Sequence, residues 1–392
     1  MANLHAGGYE QGRNDGFNKG KEDGYAKGLE DAKTLLDNPP LNEISLKWRE
    51  LHCAEQIAPH FGSSVVLNDR KMECLKETFK SVIWKLEVTA NGRTHPMILK
   101  IFKAPIIDQK LIELNMYRKA VSVIPDLMPA IYFTVEGING DDVWVFMEYV
   151  PQLKGQVIFT PDYFDRIIPS LAKLHALTYN NNFYSKWEVF EEWLPRYEGE
   201  PLSSERVKHH EKTLEYLEKA KDHPELKQRL GSFYNDLKGI LKKGPIYFPE
   251  LIQAGKSIIH NDLQTPNMGC HNVAEPNWSI KFLDWEGARF SPCWFDMFNL
   301  VGVFFAYRKD WRADEDLVIE RCSNLYAAEM LKYGISFDRS PIQLYKMAYL
   351  QRVLERGLYH QLLWGVDGAK PAHLLDVYAE KIKVWGKELG LY

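Results

Sequence analysis

The chain has 392 residues, 45% of them apolar and 26% charged, a globular balance that excludes global disorder and suits two or three compact units of roughly 150 residues. Its 49 basic and 53 acidic side chains leave a net charge of −4, so nothing asks for nucleic acid or an anionic membrane as partner. Five scattered cysteines without a C-x-x-C pair argue against a disulfide scaffold. There is no apolar signal segment, and the longest apolar run, Leu300 to Tyr307, is far short of a bilayer span; together these suggest a soluble, cytoplasmic protein.

The first forty residues stand apart. Gly12, Gly16, Gly20, Gly24 and Gly28 recur every fourth residue, and Tyr9, Phe17 and Tyr25 every eighth. Fourfold spacing puts the glycines on one face of a helix. Each interior glycine costs about 1 kcal/mol relative to alanine, so alone the segment should fray. Against a second helix the same stripe permits close approach. Residues 9–32 are therefore either a disordered tail or a surface for self-association or another protein, and Pro39 and Pro40 end the segment.

Leu41 to His60 reads as an amphipathic helix. Strands are expected at Ser63–Leu67, Ser81–Ala90, Met97–Phe102, Ile131–Glu136 and Val143–Tyr149. Asn91-Gly92 joins the second and third as a hairpin. Asp108 to Val123 suits a helix. After Pro151 the pattern turns helical, at Asp162–Leu177, Ser203–His223 and nearly everywhere beyond Trp294. Strands followed by helices predict an α+β fold with two lobes, divided as a tail (1–40), a strand-rich part (41–150) and a helical part (151–392).

The chemistry concentrates in two stretches. In Ser257-Ile-Ile-His260-Asn-Asp262-Leu-Gln-Thr-Pro-Asn267 an apolar run delivers His260, Asp262 and Asn267 into one loop. In Ile280-Lys-Phe-Leu-Asp284-Trp-Glu286 a second apolar run ends in carboxylates. Phosphoryl transfer needs a carboxylate to take the hydroxyl proton and oxygen ligands to hold Mg²⁺ against phosphates. Asp262 is the candidate base. Asn267 and Asp284 are the candidate metal ligands, joined by Glu286 if the strand continues and alternation places it beside Asp284. A lone H-x-D caps turns in many proteins, and the weight lies in the full set.

With these motifs the sequence resembles the aminoglycoside phosphotransferase and choline kinase superfamily, small-molecule kinases that use ATP and Mg²⁺. The resemblance implies a two-lobed protein-kinase-like fold, with an antiparallel-sheet, nucleotide-binding N-lobe and a mostly helical C-lobe that holds the substrate site. It implies further roles. Lys100, in Met97-Ile-Leu-Lys-Ile-Phe102, matches the lysine that pairs with the phosphates, and Glu113 the helix glutamate that orients it. Phe146-Met-Glu148-Tyr-Val150 resembles the hinge, where the Glu148 C=O and Val150 N–H would bind adenine. Asp284-Trp285-Glu286 resembles the D-x-D/E variant, and Asp296 the aspartate opening the next helix. His175 reads as a packed core histidine.

One departure stands out. Between Gly62 and Ser81, where a glycine-rich phosphate loop would lie, there is no glycine, so backbone amides and the Ser81 hydroxyl would have to cradle phosphate. The expected activity is phosphorylation of a small-molecule hydroxyl. Glu188, Glu191, Glu192, Glu198 and Glu200, crowding Trp187, Trp193 and Tyr197, are either a solvated face or a site for a cationic amine or aminoglycoside-like acceptor. The alternative of another class is a non-catalytic nucleotide-binding scaffold that acts through its glycine-repeat tail.

Overall fold

The computed structural model describes residues 39–138 and 142–392; the glycine repeat lies outside them. The chain falls into two compact units. One holds the described residues up to Ile101 together with Trp144–Met147, and the other holds Phe102–Val143 and Glu148–Tyr392.

The first unit begins with α1 (Pro39–Glu50) and α2 (Cys53–Phe61), where a single helix was expected. His52, at φ 50°, takes the left-handed conformation and breaks it. Proline is tolerated in a helix's first turn, so Pro39 and Pro40 start α1 as well as closing the tail. The strands are β1 (Val65–Leu67), β2 (Glu73–Glu77), β3 (Ser81–Ala90) and β4 (Arg93–Phe102). β2 escapes the sequence reading because all five of its residues are exposed, which erases the alternation that betrays a half-buried strand. Both β1 and β2 pair antiparallel with β3. Asn91 and Gly92, both at positive φ, make the expected two-residue turn into β4. Trp84, Leu86, Val88 and Ala90 alternate inward along β3, and Met97 and Leu99 along β4.

The chain continues through α3 (Asp108–Arg118), β5 (Ile131–Ile138) and β6 (Asp142–Glu148), and the sheet order is β1-β3-β4-β6-β5. Trp48 of α1 meets Phe146 of β6 edge-on at 5.8 Å.

The second unit is mostly helical. α4 (Phe164–Leu177) and α5 (Leu202–Asp222) precede four short strands, β7 (Lys256–Ile259), β8 (Met268–Gly269), β9 (Lys281–Phe282) and β10 (Arg289–Pro292). Then come α6 (Glu315–Leu331), α7 (Pro341–Arg352), α8 (Leu358–Asp367) and α9 (Leu375–Glu388). β7 pairs with β10 and β8 with β9, both antiparallel. These two ribbons bring the His260 loop and the Asp284 turn side by side. An antiparallel sheet followed by helices is the α+β architecture that the order of patterns implied. Among the described residues no helix is long and apolar enough to cross a membrane.

Candidate active site

Leu283 is the hinge pin of the site. Its N–H donates to the Asn267 carbonyl at 2.8 Å, and its carbonyl accepts from His260 Nε2 at 2.8 Å. Both backbone groups of the residue before Asp284 are thus tied to the loop that carries Asp262. The Asp262 N–H donates to His260 Nδ1 at 3.3 Å, so the hydrogen-bond network places the ring proton on Nε2. Asn267 Nδ2 donates to Asp262 Oδ2 at 2.8 Å and to the Asp262 carbonyl at 2.9 Å. Its amide oxygen is then the face left for a cation. Gln264 Nε2 donates to Asp262 Oδ1 at 2.7 Å, so both carboxylate oxygens are oriented by side chains of their own loop.

The loop itself hangs on Asp296, which is fully buried. Its carboxylate accepts the His260 and Asn261 N–H groups, each at 2.7 Å, as well as Asn299 Nδ2 at 3.3 Å. His175 Nε2 lies 3.3 Å away and His175 Nδ1 2.7 Å from the Tyr326 hydroxyl, so His175 is a packed core histidine. Burial alone would raise the Asp296 carboxyl; the hydrogen bond and charge of His175, then the charge and N–H of His260, outweigh it and hold the group below the usual carboxylate range.

Asp284 sits at φ 62°, ψ 64°, a left-handed conformation that is uncommon outside glycine and clusters at functional sites. Beyond it the chain enters a single 3₁₀ turn, Trp285–Gly287. The strand ends at Phe282, so the alternation expected to bring Glu286 beside Asp284 does not operate, and Glu286 stands on the turn instead. Trp285 is buried beneath it, 4.8 Å from the His260 ring.

Helix α3 packs on this turn. Glu113 is 3% exposed, not a solvated helix acid. Its Oε1 accepts from the Tyr117 hydroxyl at 2.8 Å, and that hydroxyl in turn accepts from the backbone N–H of Asp284. Burial first, then the Glu113 and Asp284 charges, push the Tyr117 phenol well above its usual range, so it stays a donor. This Glu113–Tyr117–Asp284 relay was not foreseen. The i, i+4 spacing of Glu113 and Tyr117 was its only trace in the sequence.

At the hinge, Glu148 is the last residue of β6. Its N–H donates to the Ala130 carbonyl at 2.8 Å, and its carboxylate bridges the Ala130 N–H at 3.0 Å and His271 Nε2 at 2.9 Å. The Val150 N–H has no acceptor among the described residues, as an adenine-binding amide requires. A Cβ on Gly269 would stand 2.6 Å from Val150 Cγ1 and 3.1 Å from the Pro151 carbonyl, so only glycine lets β8 pass so close to the hinge.

In the first unit, Lys100 lies on β4 between β3 and β6 and is 6% exposed. It is therefore an interior, not an edge-strand, lysine. The glycine-free loop is a tight turn held by Thr78, whose Oγ1 accepts the N–H groups of Lys80 and Ser81 at 3.2 and 3.1 Å. Two amides expected to face phosphate are thus bonded within the turn. Phe79 at its tip is 84% exposed.

The acidic and aromatic segment near residue 190 meets the protein's own cations. Arg196 covers the Trp187 ring at 4.8 Å and Arg206 the Tyr197 ring at 4.0 Å. Glu198 pairs with Lys256, and Glu192 with Lys119 at 3.8 Å. Trp193 and Tyr197 are buried. Trp187, Tyr197, Glu192 and Glu198 of this segment thus face cations of the chain itself.

The sequence model of the phosphotransferase enzyme family matches residues 84–333. No curated protein matches the chain. Among solved structures it is similar to an ethanolamine kinase of Plasmodium vivax, at 16% identity over 80% of this chain and 81% of that one, TM-score 0.47. It is also similar to the GDP complex of an aminoglycoside 2'-phosphotransferase, at 14% identity over 87% and 97%, TM-score 0.46. A third is a spectinomycin phosphotransferase in complex with ADP and spectinomycin, at 11% identity over 84% and 98%, TM-score 0.43.

Proposed function

Because the chain belongs to the phosphotransferase enzyme family, we propose that it is a kinase moving the terminal phosphoryl group of Mg-ATP to a hydroxyl of a small molecule. The observation that carries this reading is the convergence on Leu283, whose two backbone bonds hold the Asp284 turn against the loop of Asp262 and Asn267. Asp262, with both oxygens oriented, would take the acceptor's proton. Asn267, through its amide oxygen, and Asp284 would hold Mg²⁺. Two oxygen donors fit that ion, which takes one or two protein ligands and fills its sphere from phosphates and water. Among the described residues no group of three His, Cys, Asp or Glu side chains is placed to hold a metal ion by itself, and the proposed pair would share the ion with the phosphates. When bound, Mg²⁺ neutralises phosphate charge.

Lys100 and Ser81 would meet the phosphates, and the Glu148 carbonyl and Val150 N–H the adenine. Glu113 keeps the orienting role that the family resemblance gives it, with Glu286 as a further oxygen near the metal. Catalysis would rest on positioning and electrostatics. Cys53, Cys270, Cys293 and Cys322 are free thiols, which suits a reducing cytoplasm. Residues 9–32 are assigned to self-association or a protein partner. The test of the kinase reading is ADP release from Mg-ATP by the full chain in the presence of hydroxylated acceptors. Asp262→Asn should lower it by about 10²- to 10⁴-fold while nucleotide still binds. Equal loss of nucleotide affinity would remove Asp262 from the acceptor side.

A further inference from the structure

The second unit contains a cavity of about 530 Å³, within the usual range for small-molecule sites. Gln264 forms part of its wall, and the same Gln264 amide is bonded to Asp262 Oδ1 at 2.7 Å. The cavity thus opens one side chain away from the proposed base. Its other walls come from the C-terminal helices and include Tyr349, Tyr378, Trp364, His360 and Arg356. Two π-helical segments, Phe298–Gly302 and Val353–Gly357, both contribute to it. Such segments are rare and favour functional sites.

The charge of the lining is one-sided. Among the described residues no carboxylate lines the cavity. Arg356 is solvent-accessible there, and its Nε donates to His360 Nε2 at 3.4 Å. It makes no ion pair among the described residues. Behind it stand two more guanidinium groups. Arg352 donates to Asn261 Oδ1 at 3.0 Å and stays 3.9 Å from Glu355; Arg289 Nε donates to the Gly287 carbonyl at 3.2 Å. Glu205 and Glu355 are the acids that face this group, and Glu355 is shared with Arg206 at 3.6 Å. Burial, then Arg352, lowers the Arg356 guanidinium from its ordinary value, and burial, then Arg356, lowers His360. In both, partial burial is the first cause and the neighbouring cation the second.

A cationic acceptor would find no counter-charge here. The aromatic face best suited to it is also taken, since Lys370 lies 5.3 Å over Trp364 and His360 stacks on the same ring at 5.8 Å. A carboxylate or phosphate would meet the planar fork of Arg356, the geometry that binds such groups in pairs of hydrogen bonds. Tyr349 and Tyr378 add aromatic surface to the wall.

We propose that the acceptor is an anionic, ring-bearing alcohol, such as a sugar acid or sugar phosphate, held at its anionic group by Arg356 with a hydroxyl directed to Asp262. This rests on the kinase reading for the reaction. The acceptor oxygen forms its bond to the terminal phosphorus, the bond to the leaving nucleoside diphosphate breaks, and the hydroxyl proton goes to the Asp262 carboxylate. The products are a phosphate monoester and ADP.

The test separates the two readings by measuring binding apart from turnover. Calorimetry on the full chain would use gluconate and glucose 6-phosphate as anionic probes, glucose as the neutral probe, and glucosamine and choline as cations. The anions should bind tightest, and Arg356→Gln should weaken them roughly 10- to 100-fold, the loss expected for a charge-assisted pair. Arg356→Lys should fall between, and thermal melting should be unchanged in both, since the side chain is accessible. Preference for choline or glucosamine, no binding of either anion, or anion affinity unmoved in Arg356→Gln would each overturn the proposal. Anion binding that depends on Arg356, with no ADP release from Mg-ATP for any acceptor in the panel, would sustain the anion site at Arg356 and sink the kinase reading instead.

Discussion

Removing the Asp296 carboxylate should unfasten the loop that carries His260 and Asp262. The side chain is fully buried and receives the N–H groups of His260 and Asn261 at 2.7 Å each. In Asp296→Ala both donors lose their acceptor, and a buried orphan costs about 1–3 kcal/mol. The expected destabilisation is therefore about 4 kcal/mol, a large part of the roughly 5–15 kcal/mol that holds a typical domain. Asp296→Asn keeps one acceptor oxygen and should cost about half as much. Two compact units need not unfold together, so the local readout is decisive. Amide exchange at His260 and Asn261 should accelerate in both variants, and urea denaturation, followed by fluorescence of the buried Trp285 and Trp294, should shift to lower concentration.

The pH dependence has a definite sign. The folded Asp296 carboxyl lies below its ordinary value, so its contribution is complete above the unfolded value of about 3.9 and is lost as pH falls through the folded one. Wild type should therefore lose this stability only in the acid limb, below about pH 4, and Asp296→Asn should flatten that limb. An asparagine variant with unchanged loop exchange and an unchanged acid limb would refute the bracing role.

Other perturbations address the neighbouring parts. Asp284→Ala should weaken nucleotide binding only when Mg²⁺ is present; unchanged Mg-ATP affinity in a titration would remove it from the metal. Tyr117→Phe deletes the hydroxyl that links Glu113 to the Asp284 backbone. It should cost about 1–2 kcal/mol of stability and slow turnover severalfold, whereas wild-type melting and rate would show that the relay is idle. Deleting residues 1–38 should leave activity and melting of the remainder unchanged while removing self-association, read by light scattering, or a partner, read by pull-down. Loss of activity on truncation would mean that the segment serves the catalytic units.

What the sequence discloses is what local chemistry decides. Asn91-Gly92 announces its turn because both residues tolerate positive φ. The alternation in β3 is visible because one face is buried and the other is not. His260, Asp262, Asn267 and Asp284 stand out because they lie close along the chain, and the fold brings them together; their roles are those proposed above. β2 is silent for the opposite reason: every side chain of it is exposed. The alternation argument for Glu286 failed because a strand was extrapolated through Asp284, where a left-handed residue turns the chain. The Asp296 brace joins residues 35 and 36 positions apart, and the step from Tyr117 to the Asp284 turn is longer still; no spacing rule covers such pairs. The proposed acceptor cavity is the extreme case. Gln264 and Arg356 are far apart in sequence, and Arg356 on its own reads as one more surface cation. Only its placement beside His360, without a carboxylate and with the base loop across the cavity, gives its charge a meaning. A phosphotransferase can announce its reaction in its motifs because the phosphoryl group makes the same demands everywhere. Its acceptor is written in contacts between distant helices, and those must be read from the folded chain.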